Sequence, residues 1–263
     1  MRVDLHNHTS LCNHASGNME EYVIQAIKLG IDVFGFSEHA PMEYDKKYRM
    51  SLDEMPFYKN SLEFLKEKYS EQIQIKKSFE VDFLQGFVLD EIKNAKADYL
   101  IGSVHFLQDK KSLWSFDNPE FIGGYKNKDI DKLWLEYFEA IKQLAKSRIF
   151  DVLGHIDLLK IFKFLPKKDM KSLALKALKE VKKANMTLEI NSAGFDKPIK
   201  EQYPSKDILE LAFELGIDIT FGSDAHSVAQ VGRHYLKCVK LAKDIGYKKC
   251  VIFSNKEKEL VDF

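Results

Sequence analysis

The stretch Val3-Asp4-Leu5-His6-Asn7-His8 joins a short strand-like segment to two histidines. Side chains two positions apart in an extended segment point to the same side, so the imidazoles of His6 and His8 can reach one metal ion. Two ordinary surface histidines would give the same pattern, and a His-x-His pair alone leaves both interpretations open. What decides between them is whether the rest of the chain brings further ligands to the same place.

Short apolar segments recur along the chain and alternate with stretches of helical spacing. The predicted strands are Val3–Leu5, Asp32–Phe36, Ile73–Val81, Tyr99–Val104, Phe150–Leu153, Thr187–Ile190, Ile217–Phe221 and Lys249–Phe253. The predicted helices are Met19–Leu29, Ser51–Tyr69, Asp129–Lys146, Met170–Ala184, Ser205–Leu215 and Val228–Ile245. This alternation predicts one α/β domain over residues 1–263 with a parallel sheet, most simply closed into a barrel.

Most histidines follow the last apolar residue of a predicted strand or lie in the loop just after it. In a parallel α/β barrel all of these strand ends open on one face, which carries the active site. We therefore expect side chains scattered from position 6 to position 226 to converge. The expected metal ligands are His6, His8, His14, His39, Glu80, His105, His155, Asp224 and His226.

The chemistry of this ligand set narrows the choice of metal. Imidazole nitrogens and carboxylate oxygens suit Zn, Mn or Fe, and the set contains no thiolate. The three cysteines, Cys12, Cys238 and Cys250, are too widely spaced for a Cys-type zinc motif and too few for a disulfide framework. Seven imidazoles and two carboxylates exceed what one ion with open positions needs, so we expect two or three ions.

Composition limits the class of partner. The chain has 263 residues with 40 Lys+Arg and 40 Asp+Glu, a formal charge of zero, which offers no electrostatic attraction for nucleic acid or anionic membranes. A hydrophobic content of 45% excludes a disordered chain. No apolar run approaches the ~18 residues of a membrane span, and Asp4 interrupts any signal-peptide core. We expect a cytoplasmic globular protein that acts on a small molecule, without nucleic-acid or membrane partners; the oligomeric state stays open.

Motifs around the expected ligands are more specific than any single pair. They are His6-x-His8, His14, Ser37-Glu38-His39, Glu80, Gly102-Ser103-Val104-His105, Gly154-His155 and Ser223-Asp224-Ala225-His226. In order and over almost the whole chain, they resemble the PHP (polymerase and histidinol phosphatase) superfamily. The resemblance implies a distorted, TIM-like (β/α)7 barrel with three metal ions at the carboxyl ends of its strands. One of the eight predicted strands, such as the last, should then lie outside the barrel or pair at its edge.

The same resemblance implies how the ligands are shared. The first metal would take His6, His8, Glu80 and Asp224; the second would share Glu80 and add His105 and His155; the third would take His14, His39 and His226. The motifs Phe36–Met42, Gly102–Leu107, Phe116–Glu120, Gly154–Leu158, Glu189–Gly194 and Tyr203-Pro204-Ser205 are similar to the monofunctional histidinol-phosphatase branch. That branch implies hydrolysis of L-histidinol phosphate in histidine biosynthesis. The hypothesis is in-line attack by a hydroxide bridging the first two ions. Asp224 and His226 are the candidate catalytic residues, with the third metal or an acid near His226 stabilising the leaving alkoxide.

Four residues are candidates for substrate binding. Lys160 stands where the branch often shows arginine, so it could bind phosphate as a point charge but without a bidentate geometry. Arg49 and Glu43 could meet the substrate's phosphate and ammonium, or lie on a solvated loop. Trp114 belongs to the long stretch Gln108–Lys128, which is either a lid that stacks on an imidazole or a segment packed against the barrel rim.

Two further polar residues are Asp157 and His234. Asp157 could orient a ligand imidazole from behind or begin the following helix. His234, within the predicted helix Val228–Ile245, is interpreted as a structural or surface histidine.

Two other functions remain possible at this point. A related phosphoesterase or exonuclease would act on nucleotides or nucleic-acid ends, which the neutral charge disfavours. A non-catalytic metal-binding module would belong to a different class, which the intact set of nine ligands disfavours. Phosphate release from several substrates, measured together with metal content, would separate the three.

Overall fold

The computed structural model describes residues 1–84, 87–109 and 112–263. Its strands are β1 (Val3–Asp4), β2 (Val33–His39), β3 (Gln74–Asp82), β4 (Tyr99–Ser103), β5 (Phe106–Asp109), β6 (Ser112–Ser115), β7 (Val152–Leu153), β8 (Thr187–Asn191), β9 (Ile219–Gly222), β10 (Lys249–Ser254) and β11 (Glu257–Asp262). Its helices are α1 (Met19–Lys28), α2 (Met55–Lys68), α3 (Asp90–Lys93), α4 (Ile130–Ser147), α5 (Met170–Lys183), α6 (Lys206–Glu214) and α7 (Tyr235–Ile245).

Seven parallel strands form the central sheet, in the order β1-β2-β3-β4-β7-β8-β9. Hydrogen bonds between its two edges close the sheet into a barrel: the Leu5 N–H donates to the Phe221 carbonyl at 2.8 Å, and the Asp224 N–H donates to the His6 carbonyl at 2.7 Å. Two of the strands, β1 and β7, are only two residues long, which distorts the barrel. The predicted seven-stranded α/β barrel is confirmed.

The barrel strands are buried on both faces, as expected for a parallel sheet covered by helices. All seven residues of β2 and eight of the nine residues of β3 are buried. Gly35 in β2 leaves room for the hydroxyl of Tyr99, which donates to the Leu5 carbonyl at 2.5 Å. A Cβ at position 35 would lie 1.9 Å from that hydroxyl oxygen, so a larger residue there would force the strands apart.

Local sequence explains where the outer helices begin. Asn18 and Glu21 form a capping box at the start of α1, with backbone-to-side-chain distances of 3.0 and 2.8 Å. The carboxylate of Asp129 accepts from the Lys132 N–H at 3.1 Å and caps α4. Seven side chains of α4 are buried along one face. The helices therefore cover the sheet because their apolar faces have no other place to avoid water.

The last two strands form an antiparallel hairpin outside the barrel, which confirms the expectation for the last predicted strand. The hairpin lies across the amino-terminal ends of the barrel strands. The Thr220 hydroxyl donates to the Val251 carbonyl at 2.9 Å, and Phe253 stacks on Tyr99, the first residue of β4, with ring centroids 5.2 Å apart. Because this end is covered by the hairpin, the opposite end is left to hold ligands.

The predicted helix Val228–Ile245 is wrong in its first part. A short 3-10 turn covers Val228–Gln230, and α7 begins only at Tyr235. Between them Gly232 and His234 have positive φ angles of 62° and 52°, a left-handed conformation that no helix can continue through. His234 thus precedes the helix rather than lying within it.

The long stretch after β4 folds as a hairpin followed by a 3-10 helix over Pro119–Tyr125. Residues 110 and 111, which belong to the predicted lid, lie outside the described residues. No helix within the described ranges is both long and apolar enough to cross a lipid bilayer.

Candidate metal centre

The nine expected ligands lie at the carboxyl-terminal end of the barrel. His39 is the last residue of β2, and Glu80 lies near the end of β3. The other seven follow strand ends or lie in the loops after them; they are His6, His8 and His14 after β1, His105 after β4, His155 after β7, and Asp224 and His226 after β9. Parallel strands of a barrel end on the same face, and this is what brings residues up to 220 positions apart into contact.

A first group of ligand atoms surrounds one oxygen of Glu80. The Nε2 atoms of His6 and His8 lie 3.1 Å apart, and Oε2 of Glu80 lies 3.4 and 3.5 Å from them. Oδ1 of Asp224 lies 3.1 Å from Nε2 of His8 and 3.9 Å from Nε2 of His6. These four side chains are those that the resemblance assigns to the first metal.

A second group surrounds the other oxygen of the same carboxylate. Oε1 of Glu80 lies 2.8 Å from Nε2 of His155 and 3.6 Å from Nε2 of His105. It also accepts a hydrogen bond from the Ser103 hydroxyl at 2.6 Å. Each oxygen of Glu80 therefore faces a different set of imidazoles, which is the arrangement needed for a carboxylate that bridges two metal ions.

The remaining imidazoles stack beside the first group. The ring of His8 lies between His39 and His226, with ring centroids 4.1 and 4.2 Å away, and ligand nitrogens of these three residues lie within 4.8 Å of one another. The ring of His14 is 4.6 Å from that of His226, and Cys12 completes a second such cluster with them. Burial raises the pKa of the Cys12 thiol, which disfavours a thiolate there.

Two acidic residues that the sequence reasoning missed orient the ligands from behind. Glu189 lies 2.6 Å from Nδ1 of His6 and accepts from the His155 N–H at 2.9 Å, and Asp82 lies 2.7 Å from Nδ1 of His105. In both pairs the Nδ1 atom faces the carboxylate, which leaves Nε2 directed at Glu80. Carboxylates placed in this way fix the tautomer of metal-binding histidines. The donor set therefore fits a metal centre.

Electrostatics put Glu80, His39 and His226 in the forms that bind metal. Burial would raise the pKa of Glu80, but nearby His6, His105 and His39 outweigh it and hold that pKa well below its usual range. Burial, reinforced by His8, lowers the pKa of both His39 and His226 well below the usual value for histidine. An ionised carboxylate and neutral imidazoles are the protonation states that coordinate a cation. Burial would lower the pKa of His6, His8 and His105, but nearby carboxylates outweigh it and raise each pKa above the usual value for histidine, so a cation has to displace protons from these three.

Asp224 is held in an unusual backbone conformation. Its φ angle is +50°, in the left-handed region that costs energy for most residues and clusters at functional sites. Arg233 supports it, because Nη2 donates to the Asp224 carbonyl and Nε to the Ser223 carbonyl, both at 2.9 Å. Arg233 was not singled out as a site residue, since nothing in the local sequence connects it to Asp224.

A cavity of about 520 Å³ opens beside the ligands. Five of the histidines line it together with Glu80 and Asp224; they are His14, His39, His105, His155 and His226. The rest of its wall carries charges of both signs, with the basic side chains Arg49, Lys197 and Arg233 and the acidic side chains Asp45, Asp117 and Glu120. The site can therefore receive a small molecule that bears both an anionic and a cationic group.

Of the four substrate-binding candidates, the structure places only Arg49 in the cavity wall, where its Nη2 pairs with Asp82 at 2.6 Å. Lys160 is buried away from the described lining, and its ammonium contacts Asp157 at 2.9 Å, Glu201 at 2.7 Å and the Gln202 carbonyl at 2.7 Å. Three such contacts use the three protons of the ammonium group.

The other two candidates also lie outside the described lining of the cavity. Trp114 is buried, donates its indole N–H to the Phe121 carbonyl at 3.0 Å and packs edge-on against Tyr125. Glu43 is exposed on the loop after β2. The segment that carries Trp114 still reaches the cavity, but through Asp117 and its neighbours.

Asp157 and His234 both make contacts that stabilise the fold. Asp157 accepts from the Ser205 N–H at 2.7 Å in addition to the Lys160 ammonium, while Nδ1 of His155 makes no hydrogen bond to any described residue. His234 pairs through Nε2 with Asp196 at 2.9 Å.

Comparison with known sequences finds two matching family models. The PHP domain model matches residues 4–193, and a PHP-associated model matches residues 206–245. A Deinococcus radiodurans protein named "Probable histidinol-phosphatase" is 36% identical over 92% of this chain and 93% of its own length. The Bacillus subtilis histidinol-phosphatase is 28% identical over 88% of this chain and 96% of its own length.

Solved structures show the same architecture. A crystal structure from Listeria monocytogenes superposes with a TM-score of 0.81 at 30% identity, covering 90% of this chain and 99% of the other. The Lactococcus lactis histidinol phosphate phosphatase superposes with a TM-score of 0.77 at 23% identity over 98% of both chains. The PHP domain match spans well over half of the residues and includes the first seven expected ligands, from His6 to His155, whereas Asp224 and His226 lie in the range that the PHP-associated model matches. With that match and these relatives, the chain belongs to the PHP domain family.

Proposed function

We propose that the protein is a metal-dependent phosphomonoesterase that hydrolyses L-histidinol phosphate to L-histidinol and inorganic phosphate. One observation carries the reaction class: seven imidazoles and two carboxylates from across the chain meet at the carboxyl end of the barrel beside one cavity, with Glu80 facing a group of imidazoles through each of its oxygens. The relatives' names support the substrate, and the Lactococcus lactis relative was solved in complex with zinc, L-histidinol and phosphate.

The ligands would hold divalent ions, with zinc, manganese and iron as the candidates and three as the proposed number. His6, His8, Glu80 and Asp224 would hold the first, and Glu80, His105 and His155 the second. For the third, His39 and His226 would be joined by His14, whose ring lies beside that of His226. When bound, such ions polarise a phosphoryl group and lower the pKa of water.

The chain's own residues prepare the site for this chemistry. Glu189 and Asp82 keep His6 and His105 in the tautomer that presents Nε2 to the cavity side. Arg49, Lys197 and Arg233 place positive charge in the cavity wall, which favours a phosphate dianion. Opposite charges from Asp117 and Glu120 would suit the ammonium group of the same substrate.

Asp224 and His226 remain the proposed catalytic pair. Both line the cavity, and Nδ1 of His226 lies 3.2 Å from the Asp224 carbonyl. This contact orients the imidazole and leaves its other nitrogen, Nε2, to hold the third ion, beside which the alcohol would depart.

A substrate panel tests the proposal. Metal-replete protein would be assayed for phosphate release from L-histidinol phosphate, nucleoside monophosphates and oligonucleotides, with metal content measured on the same samples. We expect histidinol phosphate to give the highest kcat/KM. A preference for nucleotides or oligonucleotides would favour the related phosphoesterase or exonuclease activity instead. Bound metal with no turnover of any substrate would favour a non-catalytic module.

A further inference from the structure

Tyr203 lies at the metal centre although it comes from the loop before α6. Its backbone pairs with the last residue of β8: the Asn191 N–H donates to the Tyr203 carbonyl at 2.6 Å, and the Tyr203 N–H donates to the Asn191 carbonyl at 2.9 Å. Asn191 in turn donates from its side chain to Asp224 at 3.3 Å. These bonds attach Tyr203 to the carboxyl end of the barrel, where the ligands converge.

The aromatic ring of Tyr203 is held on several sides. A Cβ at Gly194 would lie 2.9 Å from the ring, so glycine at that position allows the loop to pack directly on it. The Lys160 ammonium lies 5.3 Å from the ring centroid, and the ring of His155 meets it edge-on at 6.3 Å. Because Lys160 is itself fixed by Asp157 and Glu201, the position of the Tyr203 hydroxyl is fixed too.

That hydroxyl is buried without a hydrogen-bond partner among the described residues. Tyr203 is only 1% exposed, yet it lines the cavity together with His155 and Asp224. A tyrosine phenol is protonated at neutral pH, so the hydroxyl is able to donate a hydrogen bond. A buried donor left unpaired lowers stability, which is consistent with a partner that arrives with the ligand.

We propose that Tyr203 is a substrate-contacting residue whose hydroxyl donates a hydrogen bond to a phosphoryl oxygen of the bound phosphomonoester. This inference rests on the proposed function. The reacting phosphoryl group must lie against the ligands; the ring of Tyr203 meets one of them, His155, and Tyr203 shares the cavity wall with another, Asp224. Phosphoryl oxygens carry negative charge, and hydrogen bonds to charged acceptors are among the stronger ones in proteins.

The variant Tyr203→Phe removes only the hydroxyl. With metal-loaded protein, we expect the affinity for inorganic phosphate to fall about tenfold, and kcat/KM for histidinol phosphate to fall by a similar factor. Metal content should not change. The melting temperature of the protein without phosphate should stay the same or rise, because the variant removes an unpaired buried donor. A purely structural tyrosine would give the opposite result, a lower melting temperature with unchanged phosphate affinity.

Tyr247→Phe is the matched control at the other end of the barrel. Its hydroxyl donates to the Ile217 carbonyl at 3.1 Å, so the variant should lower the melting temperature and leave phosphate affinity and turnover unchanged. A Tyr203→Phe protein that binds phosphate within about twofold of wild type would overturn the assignment. If the wild type does not hydrolyse histidinol phosphate but Tyr203→Phe still weakens phosphate binding, the proposed substrate fails and the role of Tyr203 stands.

Discussion

The two ends of the barrel are both rich in charged and polar groups, but these groups are arranged in opposite ways. At the carboxyl end, imidazoles and carboxylates face one another around Glu80, and the Nδ1 atom of His155 and the hydroxyl of Tyr203 are buried without hydrogen-bond partners among the described residues. At the amino end, acids such as the buried Asp98 and the half-buried Asp151 are paired with backbone N–H groups and lysines, and the β10–β11 hairpin contacts them.

Asp98 and Asp151 illustrate the amino end. Asp98, just before β4, accepts from the Lys77 N–H at 2.8 Å and from the Asn255 N–H of the hairpin at 3.3 Å. Asp151, just before β7, accepts from the Leu100 N–H at 2.8 Å and pairs with Lys256 of the hairpin at 2.7 Å. Polar groups satisfied within the protein stabilise the fold, whereas groups left partly unsatisfied are available to ligands. The comparison predicts that substitutions at the carboxyl end change metal binding and turnover, whereas substitutions at the amino end change the free energy of unfolding.

The largest effect is expected for Glu80→Gln. The amide keeps the size of the side chain but removes the charge that both ligand groups face, so at least two metal ions should be lost. We expect kcat/KM to fall by about a thousandfold or more, with bound metal reduced in elemental analysis. Glu63→Gln makes the same change on the outer side of α2, where Glu63 pairs with Lys77; it should keep full activity. Wild-type turnover in Glu80→Gln protein that has lost its metal would contradict the proposed mechanism.

A smaller effect is expected for Glu189→Gln, which acts one layer behind the ligands. The amide can still accept a hydrogen bond, but it holds the Nδ1 proton of His6 less strongly, and the ligand becomes less basic. We expect metal affinity to fall about 10- to 100-fold, measured by competition with a chelator. Asp151→Asn is the matched change at the amino end and should leave metal affinity unchanged. Equal metal affinity in Glu189→Gln and wild type would show that the contact with His6 is only structural.

The smallest effect is expected for Asp98→Asn, and it should depend on pH. Burial would raise the pKa of Asp98, but the Lys77 N–H and the Lys66 ammonium outweigh it and lower that pKa below its ordinary value. A carboxyl whose pKa is lower in the folded state stabilises the fold above the pKa of the unfolded chain, and this contribution is lost as pH falls through the folded pKa. We expect a loss of about 1–2 kcal/mol in the free energy of unfolding at neutral pH.

Denaturant unfolding at several pH values would measure it. The difference between wild type and Asp98→Asn should shrink as the pH falls below about 4, while turnover at neutral pH stays unchanged. A difference that grows towards acid pH would mean that the assigned direction of the Asp98 pKa is wrong.

The sequence predicted the barrel well because the pattern is local. Apolar segments such as Thr187–Ile190 and the helical spacing between them depend on neighbours in the chain, and the structure follows them within a few residues. The helix over Val228–Ile245 failed in its first part because left-handed residues such as His234 carry no signature that spacing reveals. Helix caps such as Asp129 can be predicted from sequence because the side chain bonds to a backbone N–H only three residues away.

In the candidate site, too, residues recognised from their local position in the sequence were predicted, and residues defined by distant contacts were not. Ligands such as His6 and His105 follow strand ends and are found by that position. Glu189 and Asp82 lie inside buried strands. Because an acidic residue in a buried strand needs a partner, their positions could have predicted that they contact the ligands. Lys160 looked like a phosphate contact because its motif is local, but its partner Glu201 lies 41 positions away. Trp114 was a candidate for the lid because it lies in the long stretch Gln108–Lys128, but its indole packs against Tyr125 and donates to the Phe121 carbonyl.

By itself, the sequence determined that strands and helices alternate and that the candidate metal ligands follow the strands, because both depend on the local pattern of neighbouring residues. Only the tertiary structure decided which carboxylate stands behind which imidazole, that Lys160 is neutralised by a distant glutamate, and that Tyr203 reaches the cavity. These contacts join residues far apart in the chain, and their partners are chosen by how the barrel closes.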